Sequence, residues 1–275
     1  MFPWLLVALL FAPQTPSPPP PQAVAPAPQG TGNPVLEVGG SQHAVWASRA
    51  SGLGPWRFVH GSLSWQPPLR VRPRLEFERQ SRPAGSHVRG TVGTYIDWTS
   101  NLYSYQALTI APTTDEETRF YPSRRGDVRV FWKIPPHPQV IIAAGYTALT
   151  FGAPQRSDIV NIGTVVYGRR VIVQATGYLN RNEPGALYSG AANFAVQAGS
   201  EGTGWYGASV GAGRELYRLG TLGTAGTADF TTVTVGGFAR RWLTRTTGFH
   251  AMVEYQRVHD SYSRLGVTAH AFVGF

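Results

Sequence analysis

From residue 34 to residue 275 the chain keeps one rhythm: stretches of about ten residues with apolar side chains at every second position, divided by Gly, Pro, Asp, Asn and Ser. A period of two puts successive side chains on opposite faces of a strand, and no stretch of ten residues holds the 3.6-residue period of an amphipathic helix. Leu69, Val71, Pro73, Leu75 and Phe77 share one face, opposite Arg70, Arg72, Arg74, Glu76 and Glu78. Val128, Val130, Trp132 and Ile134 lie opposite Asp127, Arg129, Phe131 and Lys133; further on, Phe249, Ala251, Val253 and Tyr255 lie opposite His250, Met252, Glu254 and Gln256.

Fourteen such segments read as strands: 34–42, 56–65, 69–79, 86–97, 102–110, 126–134, 139–150, 158–166, 170–179, 187–198, 203–212, 228–240, 246–257 and 262–275. The connections between them alternate in length. The odd-numbered ones (43–55, 80–85, 111–125, 151–157, 180–186, 213–227) exceed their even-numbered neighbours (66–68, 98–101, 135–138, 167–169, 199–202, 241–245), and only 258–261 breaks the pattern. A soluble sandwich has no reason to keep that parity. A bacterial outer-membrane barrel does, with short periplasmic turns, longer outer loops and an even strand count. Lipid offers the backbone no hydrogen-bond partner, so every strand edge must be paired and the sheet must close. Trp65, Trp98, Tyr167, Trp242 and Phe275 fall at or beside the short connections, where an interfacial aromatic belt belongs. The expected fold is all-β: a closed antiparallel up-and-down transmembrane β-barrel of about 14 strands, with 12 as the alternative count, over residues 34–275.

Composition removes several other classes. There is no cysteine, which excludes disulfide scaffolds, thiolate metal sites and thiol nucleophiles. Only 14% of residues are charged, against about 25% in soluble globular proteins. The one long apolar run, Pro3 to Ala12, is shorter than the ~20 residues a membrane-crossing helix needs. That run is followed by eight prolines between Pro13 and Pro28, and Ala23-Val24-Ala25 offers a small-residue cleavage site. Residues 1–25 therefore read as a secretory signal and 26–33 as the end of a Pro-rich linker.

The C-terminal run His270-Ala271-Phe272-Val273-Gly274-Phe275, with Leu265, Val267, Ala269, Ala271, Val273 and Phe275 on one face, resembles the signal by which outer-membrane barrels are recognised by their assembly machinery. The body of the chain resembles the YaiO-like outer-membrane β-barrel family. The likeness rests on Phe120-Tyr121-Pro122, Ala144-Gly145-Tyr146, Phe151, Gly163, Tyr167-Gly168 and Gly211-Ala212-Gly213-Arg214-Glu215. The resemblance implies an outer-membrane location and no settled activity.

The formal net charge is +9, with Lys133 the only lysine. The arginines are spread at strand spacing without a compact basic patch, which disfavours nucleic acid as a partner. Arg70, Arg72, Arg74, Glu76 and Glu78, with Arg89, Asp97, Asp127, Arg129, Lys133 and Glu254, are expected to face the lumen with a basic excess. Rings of Arg and Lys favour anions in pores, while cross-strand pairing of both signs would simply fill the interior. Catalytic readings are weak. His259-Asp260-Ser261 brings triad residue types into one turn, but neighbouring side chains point in different directions. His250 and His270 sit where they can meet inside the barrel, with only Glu254 as a nearby carboxylate, so hydrogen-bonded lumen residues are favoured over a metal site. No catalytic, cofactor or metal residues are assigned.

The expected function is an integral outer-membrane, non-enzymatic envelope component, extending to a narrow pore with a basic lumen favouring anionic solutes. Its expected partners are outer-membrane lipid and, through the last strand, the assembly machinery; oligomeric state is left open. Two alternatives stand beside it: a barrel enzyme acting on lipid or surface polysaccharide, and a secreted soluble β-barrel binding protein.

Overall fold

A computed structural model describes residues 34–47, 54–65, 70–83, 85–112, 122–151, 155–200, 202–218, 227–259 and 261–275. The expected signal and linker, 1–33, and Phe120 and Tyr121 lie outside the described residues. Fourteen strands follow one another: β1 (Pro34–Ala47), β2 (Trp56–Trp65), β3 (Val71–Arg82), β4 (Gly85–Asp97), β5 (Leu102–Ile110), β6 (Arg124–Ile134) and β7 (His137–Thr150), then β8 (Arg156–Tyr167), β9 (Val171–Glu183), β10 (Leu187–Ser200), β11 (Gly204–Arg218), β12 (Thr227–Trp242), β13 (Thr247–Val258) and β14 (Tyr262–Gly274). Each pairs antiparallel with its sequence neighbours, and β1 pairs with β14 from Val35↔Gly274 to Ala47↔Tyr262, which closes the sheet on itself. No helix occurs among the described residues.

The expected strands all form, but several run further toward the loop end. β1 continues to Ala47, β3 to Arg82, β9 to Glu183 and β11 to Arg218. The expected loop 80–85 thereby shrinks to 83–84, and 180–186 to 184–186. The parity of connection lengths is blunted for a physical reason. Beyond the lipid both faces of a strand are polar, so alternation fades from the sequence while the hydrogen-bonded ladder continues.

Alternation inside the membrane is complete and has an inverted sense. Ile162 and Val92, each 64% exposed, face outward toward lipid, whereas Phe131 on the inward face is 2% exposed. A barrel in lipid needs no greasy centre, because its outer wall already satisfies the apolar side chains. At the turn end the outward band is bordered by Trp65, Trp98, Trp132, Tyr206 and Phe275. The Trp98 indole N–H donates to the Ser104 hydroxyl at 2.9 Å, so an outward hydroxyl is covered at that interface. At the loop end Trp46, Tyr146, Tyr188 and Tyr255 form the second border. There, exposed outward positions pass to arginine: Arg57, Arg79, Arg124, Arg156, Arg181, Arg214 and Arg257. Part of the basic surplus therefore sits on the outer rim, where anionic headgroups lie.

Replacing Ile162, mid-strand on the lipid face of β8, with Arg should cost about 2–4 kcal/mol of folding free energy in lipid. Urea titration in vesicles measures this, and a cost within error of zero would contradict the assignment of that face.

Candidate functional site

The inward face carries the polar chemistry, because a strand that shows lipid its odd residues must show the lumen its even ones, or the reverse. Of the residues the sequence singles out, Arg72, Arg74, Glu76, Glu78, Arg89, Asp97, Asp127, Arg129, Lys133 and Glu254 line the interior. Arg70 does not: it precedes β3 in an exposed bend, where its carbonyl accepts the Asp97 N–H at 2.7 Å. The strand starts one residue later than Arg70, so the run of arginines on its inner face is one shorter than expected.

Six inward ion pairs form among the described side chains, some within one strand and some across strands. Arg72 meets Asp97 at 2.5 Å, Arg74 meets Glu76 at 2.5 Å and Arg89 meets Glu78 at 2.9 Å. Arg125 meets Asp127 at 2.7 Å, Arg240 meets Glu37 at 3.1 Å and Arg264 meets Glu254 at 2.7 Å. Arg82, Arg129 and Lys133 stand outside these pairs and lie over aromatic rings, Trp56 at 4.0 Å, Phe131 at 6.0 Å and Tyr103 at 5.6 Å. Arg129 also lies beside the Tyr178 hydroxyl, three strands away across the lumen. Among the described side chains, nine cations thus face six carboxylates inside the barrel.

The densest constellation was not legible as a site in the sequence. Glu37 on β1 places its Oε1 3.0 Å from His270 Nδ1 on β14 and 3.5 Å from His250 Nδ1 on β13. Its Oε2 accepts from Arg240 on β12. The His270 ring stacks on His60 of β2 with centroids 5.3 Å apart, and His60 Nε2 lies 4.0 Å from Glu76 on β3. One polar belt thus crosses six adjacent strands, β12 to β14 and β1 to β3, straight through the seam. The expected meeting of His250 and His270 occurs, with centroids 5.8 Å apart. The carboxylate between them is Glu37, however, since Glu254 is committed to Arg264. Glu37 is more than 200 residues away in sequence, and only closure makes β1 the neighbour of β14. Gly39 completes the arrangement. It pairs directly with His270, and a Cβ there would collide with the His270 ring and the Ala269 carbonyl.

Toward the turn end the lumen is lined mainly by apolar and aromatic side chains. Phe131, Ile141, Ala143, Val165, Ile172 and Trp205 are buried together, with Tyr95, Tyr103, Tyr105, Tyr167, Phe238 and Trp242 packed on them. Tyr103 stacks on Phe131 at 4.6 Å and Trp242 meets Phe272 edge-on at 5.4 Å. These side chains form a collar around the inner wall below the charged belt. The His259-Asp260-Ser261 turn is at the opposite end. There His259 N–H bonds the Thr231 carbonyl and Ser261 N–H the Val258 carbonyl, while Asp260 lies outside the described residues.

With that geometry in view, comparisons with known proteins are informative about fold and family. Comparison with curated proteins gave no match. Among solved structures, the CymD monoaromatic hydrocarbon channel is similar with a TM-score of 0.60 and 9% identity, covering 90% of each chain. A bacterial polysaccharide outer membrane secretin is similar with a TM-score of 0.56 and 11% identity, over 89% of this chain and 99% of that one. The Acinetobacter baumannii outer membrane protein Omp33 aligns with a TM-score of 0.50 and 10% identity, over 90% of this chain and 100% of that one. At such identities the likeness is one of fold alone. The family model of the YaiO membrane beta barrel domain matches residues 41–218, well over half the chain. The closed fourteen-strand wall, its lipid-facing exterior and this match agree: the chain belongs to the YaiO membrane β-barrel family and is an integral protein of the bacterial outer membrane.

Proposed function

We propose that the barrel is a non-enzymatic envelope component that forms a narrow, wet passage favouring small anionic solutes. The observation that carries this reading is the inward surplus, among the described side chains, of nine cations over six carboxylates. The paired charges cancel locally, so Arg129 and Lys133, which stand outside these six pairs and lie over aromatic rings, set the sign of the field along the path. The collar of Phe131, Ile141, Val165, Ile172 and Trp205 narrows the path at the turn end and makes water entry there costly. The non-enzymatic reading is supported by the commitment of each inward carboxylate among the described side chains to an arginine on its own strand or within three strands, which leaves it poorly placed to serve as an acid or base. Leu265, Val267, Ala269, Ala271 and Val273 share the outward face of β14, which Phe275 follows, and we assign to that apolar row the contact with the assembly machinery.

Two measurements test the passage. In a planar bilayer with a salt gradient, the reversal potential should report chloride passing more readily than potassium; a cation preference would sink the proposal. Changing Arg129 and Lys133 together to Glu should reverse the preference. Removing bulk from the collar with Phe131→Ala and Trp205→Ala should raise single-channel conductance about twofold or more. An unchanged conductance would mean that the narrowest point lies elsewhere.

A further inference from the structure

We propose that Glu37, His250 and His270 bind a first-row divalent metal ion, with Zn²⁺ as the representative, across the seam that closes the barrel. One donor atom from each of Glu37, His250 and His270 lies within 4.8 Å of the other two. The two imidazole–carboxylate separations are 3.0 and 3.5 Å. Tetrahedral zinc with ligand bonds near 2.0–2.1 Å sets its donors about 3.3 Å apart, so these separations already match the edges of a coordination tetrahedron. The three side chains face the lumen and keep 14–26% of their surface exposed, which leaves room for a water as fourth ligand.

The surroundings are those of a supported site rather than a chance meeting of polar groups. Arg240 holds Glu37 Oε2 at 3.1 Å, which turns Oε1 toward the histidines. Gly39 leaves space for the His270 ring, and His60 stacks against its face. The nearby guanidinium weighs against any ion held mainly by charge, which excludes calcium and magnesium, whose ligands are oxygens. Two imidazoles and one carboxylate instead suit zinc, copper, nickel and cobalt, with affinities ordered as for nitrogen donors in general.

The placement has a mechanical consequence. The three ligands come from β13, β14 and β1, so an open or unclosed sheet does not present them together. An ion that binds only the closed barrel stabilises closure by mass action. The site is independent of the conduction reading, since a sealed barrel would bind the metal equally well.

The test uses the full barrel in detergent, stripped with chelator. Calorimetric titration with ZnCl₂ should show one equivalent bound, with a dissociation constant in the micromolar range or below. Zn²⁺ should raise the thermal unfolding midpoint, and chelator should reverse the rise. His250→Ala and His270→Ala should each weaken binding at least about tenfold, a typical effect of removing one of three ligands. His137→Ala, an exposed histidine at the start of β7, should leave it unchanged. Should the variants fail to fold, the wild-type protein alone decides through Co²⁺, whose visible spectrum reports low-coordinate nitrogen and oxygen ligation. Absence of that spectrum, zinc binding no tighter than millimolar, or affinity retained in both folded variants would overturn the site.

Discussion

A peptide group in hydrocarbon has no water to bond, and each one left unpaired costs several kcal/mol. That single constraint accounts for most of this molecule. It forbids an edge, so β1 must meet β14 along nearly its whole length, from Val35↔Gly274 to Ala47↔Tyr262. It forbids irregular chain within the lipid, so bends and turns are confined to the two ends. Once the ladder is closed, the two-residue side-chain period assigns every residue to oil or to lumen with no freedom left.

Charge obeys the same partition. An arginine on the lipid face at mid-membrane would be costly, and outward arginines accordingly begin only where the apolar row ends, as Arg181 does after Leu179 on β9 and Arg257 after Tyr255 on β13. Inside, where water and other side chains screen them, both signs are tolerated because neighbouring strands pair them. The short distances of Arg89 to Glu78 and Arg264 to Glu254 reflect that proximity. The interior is therefore layered: a charged belt through the middle and an aromatic collar at the turn end.

Closure also creates chemistry that no single hairpin contains. Glu37 would be an isolated acid on an open β1–β2 hairpin. Joined to β14, it becomes the shared acceptor of two histidines and an arginine. The seam is thus where side chains of β1, β12, β13 and β14 converge.

The strand pattern and the face of each strand were legible in the residues, because local alternation depends only on what lies two positions away. Strand ends were less so: β3 and β9 outrun their alternation, since the ladder persists where both faces are polar. Arg70 misled because a two-residue period says nothing about where a strand begins. The Glu37 constellation and the collar's inward packing could not be read in advance. His250, His270 and Phe131 were visible as inward residues, but their partners are set by which strands become neighbours and by how far side chains reach across a closed cylinder. Alternation by itself decided that this chain is a membrane barrel. Only the three-dimensional wall, by bringing its first strand beside its last, decided which of its side chains meet.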